Sequence, residues 1–194
     1  MGNSVLLDGL RIRPVGAQEF DDFLRYLNDH LSDNGASGQP YFQPMSRSQS
    51  RIPAELAQAF RQGLELPLGA PGWRRLWVAQ AADGRPLGHI DLRARPEPPA
   101  AHRCLLGMGV DRKARRMGLG QLLINHARQW ARSEAGLEWI DLQVLSVNLP
   151  AIQLYQRCGF VMTGELHDMF RIDGLSLAFT SMSLKLADEG MEAV

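Results

Sequence analysis

The sequence predicts a mixed α/β fold, α and β elements around a mostly antiparallel sheet that carries one parallel pair of strands. Three observations lead there. Alternating apolar and polar segments meet at Asp83-Gly84 and again at Asp173-Gly174, the dipeptide suited to a two-residue hairpin turn. Between these hairpins, a strand pattern (His102 to Val110), a helical pattern and a second strand pattern (Trp139 to Leu145) can close only by a right-handed crossover, which makes the two strands parallel neighbours. The helix of that run opens on a loop of four cations and two glycines, where a binding crevice is expected at the carboxyl ends of parallel strands. A chain of 194 residues can bury a substantial core, and 1–194 reads as a single domain with frayed ends at 1–9 and 187–194.

The elements follow in order. Leu10 to Val15 alternates as a first strand and ends at Pro14. From Ala17, Phe20, Phe23, Leu27 and Leu31 recur at helical spacing, with Glu19, Asp21 and Asp22 in the first turn where the helix dipole favours acids. DNGASGQPYFQP is a loop, and its Tyr41 and Phe42 either pin it to the core or line a pocket. A second helix spans Pro53 to about Leu64, and two strands, Leu76 to Ala82 and Leu87 to Ala94, flank the first Asp-Gly turn. The second strand sets Ile90 and Leu92 against His89, Asp91 and Arg93 on the other face. Gly107 and Gly109 weaken the strand that follows, marking a bulge or a close approach of backbone or ligand. In the central helix Leu119, Leu122, Leu123, Ala127, Trp130 and Ala131 form the apolar stripe, and Gly136 is a C-terminal cap. Asn148, Pro150 and Gly159 then delimit a short helix before the last hairpin.

The loop before the central helix, VDRKARRMGLG, has the chemistry of a phosphate cradle. Gly118 and Gly120 lack Cβ atoms, the helix leaves its first N–H groups unpaired, and Arg112, Lys113, Arg115 and Arg116 supply positive charge. The dinucleotide fingerprint would need a third glycine where Leu123 stands, and the P-loop ending Gly-Lys-Ser/Thr is absent. Composition narrows the partners. Formal charge is zero, with no basic stripe interleaved with aromatics to suggest nucleic acid and no apolar run long enough to suggest a membrane span. Cys104 and Cys158 lack metal-ligand spacing, so no metal is expected, and free buried thiols fit a reducing, cytoplasmic setting.

Arg115, Gly118 and Gly120 match the Arg/Gln-x-x-Gly-x-Gly/Ala signature, and Asn148, Ala151, Leu154, Tyr155, Gly159 and Phe160 match the Asn…Ala-x-x-Leu-Tyr-x-x-x-Gly-Phe element, of the GCN5-related N-acetyltransferase (GNAT) family. The chain resembles that family from about Leu10 to Leu186. The resemblance implies a twisted sheet in which the fourth strand, bulged, splays from the fifth around acetyl coenzyme A. It implies main-chain contacts from Met108 and Val110 to the pantetheine arm, pyrophosphate held at Arg115, Arg116, Gly118, Leu119 and Gly120, and Asn148 and Tyr155 beside the cofactor. Tyr155 would be the general acid that protonates the leaving thiolate. The implied reaction is acetyl transfer from acetyl coenzyme A to a primary amine of a small molecule, amino acid or protein amino terminus, by direct attack in a ternary complex. A non-catalytic acyl coenzyme A sensor is the alternative. For the base that deprotonates the amine, Asp91 and His102 are candidates, with Glu165 and Asp168 behind them, and Tyr41, Phe42 and Trp73 are candidates for the acceptor pocket. The implied partners are that amine, with no nucleic acid or membrane, and a homodimer is compatible.

Overall fold

The computed structural model describes residues 9–186, so the frayed ends expected at 1–9 and 187–194 fall, Gly9 apart, outside the described residues. Seven strands form one sheet: β1 (Arg11–Pro14), β2 (Arg74–Gln80), β3 (Pro86–Ala94), β4 (Arg103–Val110), β5 (Trp139–Leu145), β6 (Val161–Ile172) and β7 (Leu175–Lys185). Their order is β1-β2-β3-β4-β5-β7-β6, antiparallel throughout except for the parallel β4–β5 pair. Four α-helices join them among the described residues, α1 (Phe20–Leu31), α2 (Ala54–Glu65), α3 (Leu119–Ser133) and α4 (Leu149–Arg157).

The side-chain alternation of the strands assigns each face a cover. Ile90, Leu92, Cys104, Ile140, Leu142, Met182 and Leu184 point to one face, where Leu119, Leu123, Ile124, Ala127 and Ala131 of α3 and Tyr155 of α4 complete an apolar core. Burying each of the large aliphatic side chains contributes about 1.5–3 kcal/mol. On the opposite face, Phe20, Phe23 and Leu27 of α1 and Phe60 of α2 pack on Leu76 and Val78. That face is also where β3 presents His89 and Asp91, both buried beneath the helices.

The expected stripe of α3 needs one correction. Leu122 is exposed while Ile124 is fully buried, because the helix lies on the sheet along 119, 120, 123, 124, 127 and 131, a wider stripe than 119/122/123 implies. Gly136 is left-handed as expected, but stands three residues beyond Ser133, and the turn is closed by Leu137 donating to the Ala131 carbonyl. The hairpins fall where the Asp-Gly pairs put them; Asp173 and Gly174 both have positive φ, the mirror-image turn that matches strand twist. Gly63 of α2 is a packing site: a Cβ there would stand 2.7 Å from the Gly72 carbonyl oxygen.

Candidate functional site

β4 and β5 share only three paired positions, Arg103↔Trp139, Cys104↔Ile140 and Leu105↔Asp141. Beyond them β4 stays with β3 as far as Val110↔Gly88, and β5 stays with β7 as far as Leu145↔Phe179. A wedge therefore opens between 106–110 and 142–145. Its wall on the β4 side carries free main-chain groups. The Asp111 N–H donates to the Leu87 carbonyl across β3, and strand alternation then turns the N–H and C=O of Met108 and Val110 the other way, into the wedge. An extended amide chain would find ladder partners there.

The expected bulge in β4 is absent: the β3–β4 register runs unbroken from Ala94↔Cys104 to Gly88↔Val110. Gly107 and Gly109 have another cause, the side chains crowded against them. A Cβ on Gly107 would lie 2.5 Å from Asp91 Oδ1, and one on Gly109 2.5 Å from His30 Nε2 and 2.6 Å from His89 Cε1. β4 splays because β5 leaves it for β7.

At the end of the wedge, Arg116 (φ 62°) and Gly118 (φ 82°) are both left-handed, and α3 starts at Leu119. The amides of 115–120 donate to no acceptor among the described residues, and open space surrounds a Cβ position at Gly118, so this is an anion cradle at a helix N-terminus. Two of the expected contributors act differently. Gly120 serves helix packing, since its Cβ would stand 2.6 Å from Leu154 Cδ2 of α4. Arg115 turns away from the cradle. Its Nε donates to the Val110 carbonyl (3.2 Å) and its Nη atoms reach Gln39 Oε1 (3.1 Å) and Asp33 (3.4 Å). Arg112 likewise pairs with Asp29 (3.0 Å) and Asp33 (3.1 Å), which leaves exposed Arg116 and Lys113 as the cations of this loop without an ion pair among the described residues.

α4 lies beside the wedge. Asn148 is its N-cap by position, accepting from the Ala151 and Ile152 amides through its main-chain carbonyl, while its side chain makes no capping bond and remains available. Gly159 is left-handed and ends the helix. Tyr155 is buried against Phe160 at 5.7 Å between ring centroids, and its hydroxyl bonds to no group among the described residues. Burial, with Cys158 adding to it, raises its pKa, so the phenol stays protonated.

The opposite face of the wedge is lined by α1 and the loop that follows. Asn34, 1 % exposed, organises that loop: its amide donates to the Gln43 and Met45 carbonyls and to Ser50, and its oxygen accepts from the Phe42 and Gln43 amides. Phe42 is thereby set 5.1 Å from the His30 ring, and the Tyr41 hydroxyl donates to Asp173 (2.7 Å) at the tip of the last hairpin. Trp73, grouped with these two from sequence, is not with them. It packs in the core of the other face, 6.2 Å from Trp130, because the strand alternation continuing from β2 turns it toward α3.

The base candidates separate just as clearly. His102 is exposed at the start of β4, six residues and roughly 20 Å of strand from Met108, too far for proton transfer. Asp91 is level with Gly107 but held by Arg74 (3.4 Å) and Arg93 (3.3 Å), a structural ion pair. Glu165, on β6 two strands beyond β5, accepts from Thr180 of β7, and Asp168 bonds Arg171 and Ser176 on the exposed end of that hairpin. Two histidines outside the sequence candidates, His30 and His89, stand against Gly109 of β4. The signal was present: His30 lies seven residues after Phe23, on the apolar stripe of α1, where a histidine is out of place.

A profile of the Acetyltransferase (GNAT) family matches residues 46–160. The L-amino acid N-acetyltransferase AaaT of Escherichia coli (strain K12) is 27% identical over 94 residues, 48% of this chain and 57% of that relative, so the match spans little more than half the relative's length. Among solved structures, yncA from Salmonella typhimurium with its cofactor acetyl-CoA superposes at a TM-score of 0.73 and 18% identity, covering 95% of this chain and 98% of that one. Spermidine N-acetyltransferase from Vibrio cholerae, in complex with CoA and spermine, superposes at 0.65 and 20% identity, covering 92% and 96%. At such identities the superpositions establish the fold. No helix of the described residues is long and apolar enough to cross a membrane.

Proposed function

The chain belongs to the Acetyltransferase (GNAT) family, and on that premise we propose that it transfers the acetyl group of acetyl coenzyme A to a primary amine, by direct attack in a ternary complex. The observation that carries this reading is the wedge: the main-chain N–H and C=O of Met108 and the N–H of Val110 facing it on one wall, the 116–120 amides at its end, and α4 alongside.

Acetyl coenzyme A, when bound, supplies an acetyl group activated as a thioester. The chain supplies the rest. Main-chain groups of Met108 and Val110 would align the pantetheine arm as an added strand, and the amides of Arg116, Gly118, Leu119 and Gly120 would hold the pyrophosphate, with the Arg116 side chain adding positive charge. Arg115 contributes its amide and holds the Val110 carbonyl in place. Asn148 orients the arm from the start of α4. Tyr155, kept protonated by burial, donates its proton to the departing sulfur. The acceptor enters from the α1 side, past Tyr41 and Phe42; the amino-acid and spermidine activities named for two relatives favour a small amine or amino acid there. We treat 1–194 as one acetyltransferase domain, since all seven strands share one sheet.

Titration calorimetry with acetyl coenzyme A, followed by thiol release on a panel of amino acids, polyamines and amino-terminal peptides, tests the reading. Saturable one-to-one binding with release on one acceptor class is expected. Binding without release on any acceptor favours the sensor alternative, and no binding contradicts the reading outright.

A further inference from the structure

Four buried side-chain polar atoms have no hydrogen-bond partner among the described residues, and three of them, Tyr26 Oη, His30 Nδ1 and His89 Nδ1, belong to one cluster. Such atoms are rare in folded proteins because each costs about 1–3 kcal/mol, so three together call for a reason. The rings are in mutual contact: His30 and His89 at 5.9 Å, Tyr26 and His89 at 5.6 Å, Tyr26 and His30 at 6.4 Å. One end of the cluster abuts Gly109 of β4, the residue between the two whose main chain lines the wedge, and only a glycine leaves room for both imidazoles. Phe42 of the acceptor-side loop closes on the same end. At the other end, Tyr26 lines a cavity of about 340 Å³ bordered by Asp29, Asp111, Arg112 and Lys113, open to solvent. The cluster thus connects the wedge to the surface.

We propose that Tyr26, His30 and His89, bridged by water at their unpaired atoms, form the path by which the acceptor amine loses its proton. The inference rests on the acetyltransferase reading. In that reaction the amine nitrogen forms a C–N bond to the acetyl carbon, the C–S bond breaks, and the electron pair of that bond leaves on sulfur. The ammonium gives up two protons: one replaces the phenol proton that Tyr155 delivers to sulfur, and the other must leave the site. His30 Nε2 receives that second proton and its Nδ1 passes a proton, through water and Tyr26, to the cavity.

The electrostatics suit a relay. Around His30 stand Tyr26 and Asp29 of α1, Asp33 of the next loop, His89 of β3, and Asp111, Arg112 and Arg115 beyond β4. Burial first, then Arg115, lowers its pKa to about 4, and burial with His30 lowers that of His89 to about 3. Both rings are neutral at pH 7 and free to accept.

The test is kcat against pH for wild type, His30→Gln and Tyr26→Phe, with acetyl coenzyme A affinity measured on each. His30→Gln should lower kcat at pH 7.5 by about 10²-fold, leave acetyl coenzyme A affinity within about twofold, and give a log kcat that keeps climbing with pH where wild type has levelled. Tyr26→Phe, which removes a single oxygen, should lower kcat about tenfold with the same change of profile, and carries the test if His30→Gln does not fold. Either folded variant within about threefold of wild type, with an unchanged profile, overturns the relay and leaves the acetyltransferase reading standing. A wild type that binds acetyl coenzyme A and releases no thiol overturns both.

Discussion

On the face of the sheet covered by α3 and α4, the buried residues are almost all apolar, from Ile90 and Cys104 through Leu123 to Met182. On the face covered by α1, α2 and the Asn34 loop, the sheet buries His89, Asp91, Asp141 and Ser183, and its cover adds His30 and Asn34. The first face is a platform that holds the cradle rigid; the second accepts the cost of buried polar groups, each needing a partner or a purpose. Asp141 has its partners. Burial works to raise its pKa, but hydrogen bonds from Arg103, Ser183 and Arg95 outweigh it and lower it overall. His30 Nδ1 and His89 Nδ1 have no such partner among the described residues, and both rings stand against Gly109 on the wall of the wedge.

The contrast between the faces is sharpened most by Tyr155→Phe, a change confined to the apolar side. It should reduce kcat by about 10²–10⁴-fold and leave acetyl coenzyme A affinity unchanged in calorimetry, since only the phenol oxygen is lost. An unchanged kcat would make Tyr155 a packing residue like its neighbour Phe160.

Acid should unfold the protein through the other face. His30 and His89 have folded pKa values of about 4 and about 3, below the ordinary value of about 6.5. Below pH 6.5 the unfolded chain therefore binds protons that the folded chain does not. Stability is complete above about pH 6.5 and falls as pH drops toward 4, by about 1.4 kcal/mol per pH unit for each histidine. Urea unfolding at pH 7, 6 and 5 reads this slope, and His89→Gln should halve it. A flat profile would mean that both rings are exposed or already charged.

The smallest effect concerns the loop. Asn34→Ala removes five hydrogen bonds that define 42–50 and should cost about 2 kcal/mol of stability. It should raise the acceptor KM roughly fivefold through added loop-ordering entropy, without touching acetyl coenzyme A affinity. An acceptor KM that does not move would detach the Tyr41–Phe42 loop from the acceptor.

The same contrast explains what was legible in the sequence. The apolar face announces itself through periodicity, and the turns through Asp-Gly pairs, so the sheet, the β4–α3–β5 crossover and the limits of β5 can all be read before any coordinates. The cradle is legible too, because Gly118 and its neighbours are contiguous. The side on which we propose the acceptor enters is assembled from α1, β3, β4 and a loop far apart in the chain, and no local pattern reports that His30 meets His89 over Gly109. Trp73 was misplaced because an aromatic residue in a loop gives no sign of which face it will turn to. From sequence Gly107 and Gly109 mark a bulge or a close approach of backbone or ligand, and Gly120 part of the cradle, whereas each makes room for a side chain from another element.

The central claim, that the β4–β5 wedge receives the acetyl donor, is tested most directly by amide hydrogen exchange with and without acetyl coenzyme A. Added protection is expected at Met108 and Val110 and across 116–120, with β1 and β2 unchanged. Protection confined to other segments, with the amides of Met108, Val110 and 116–120 exchanging as before, would contradict it.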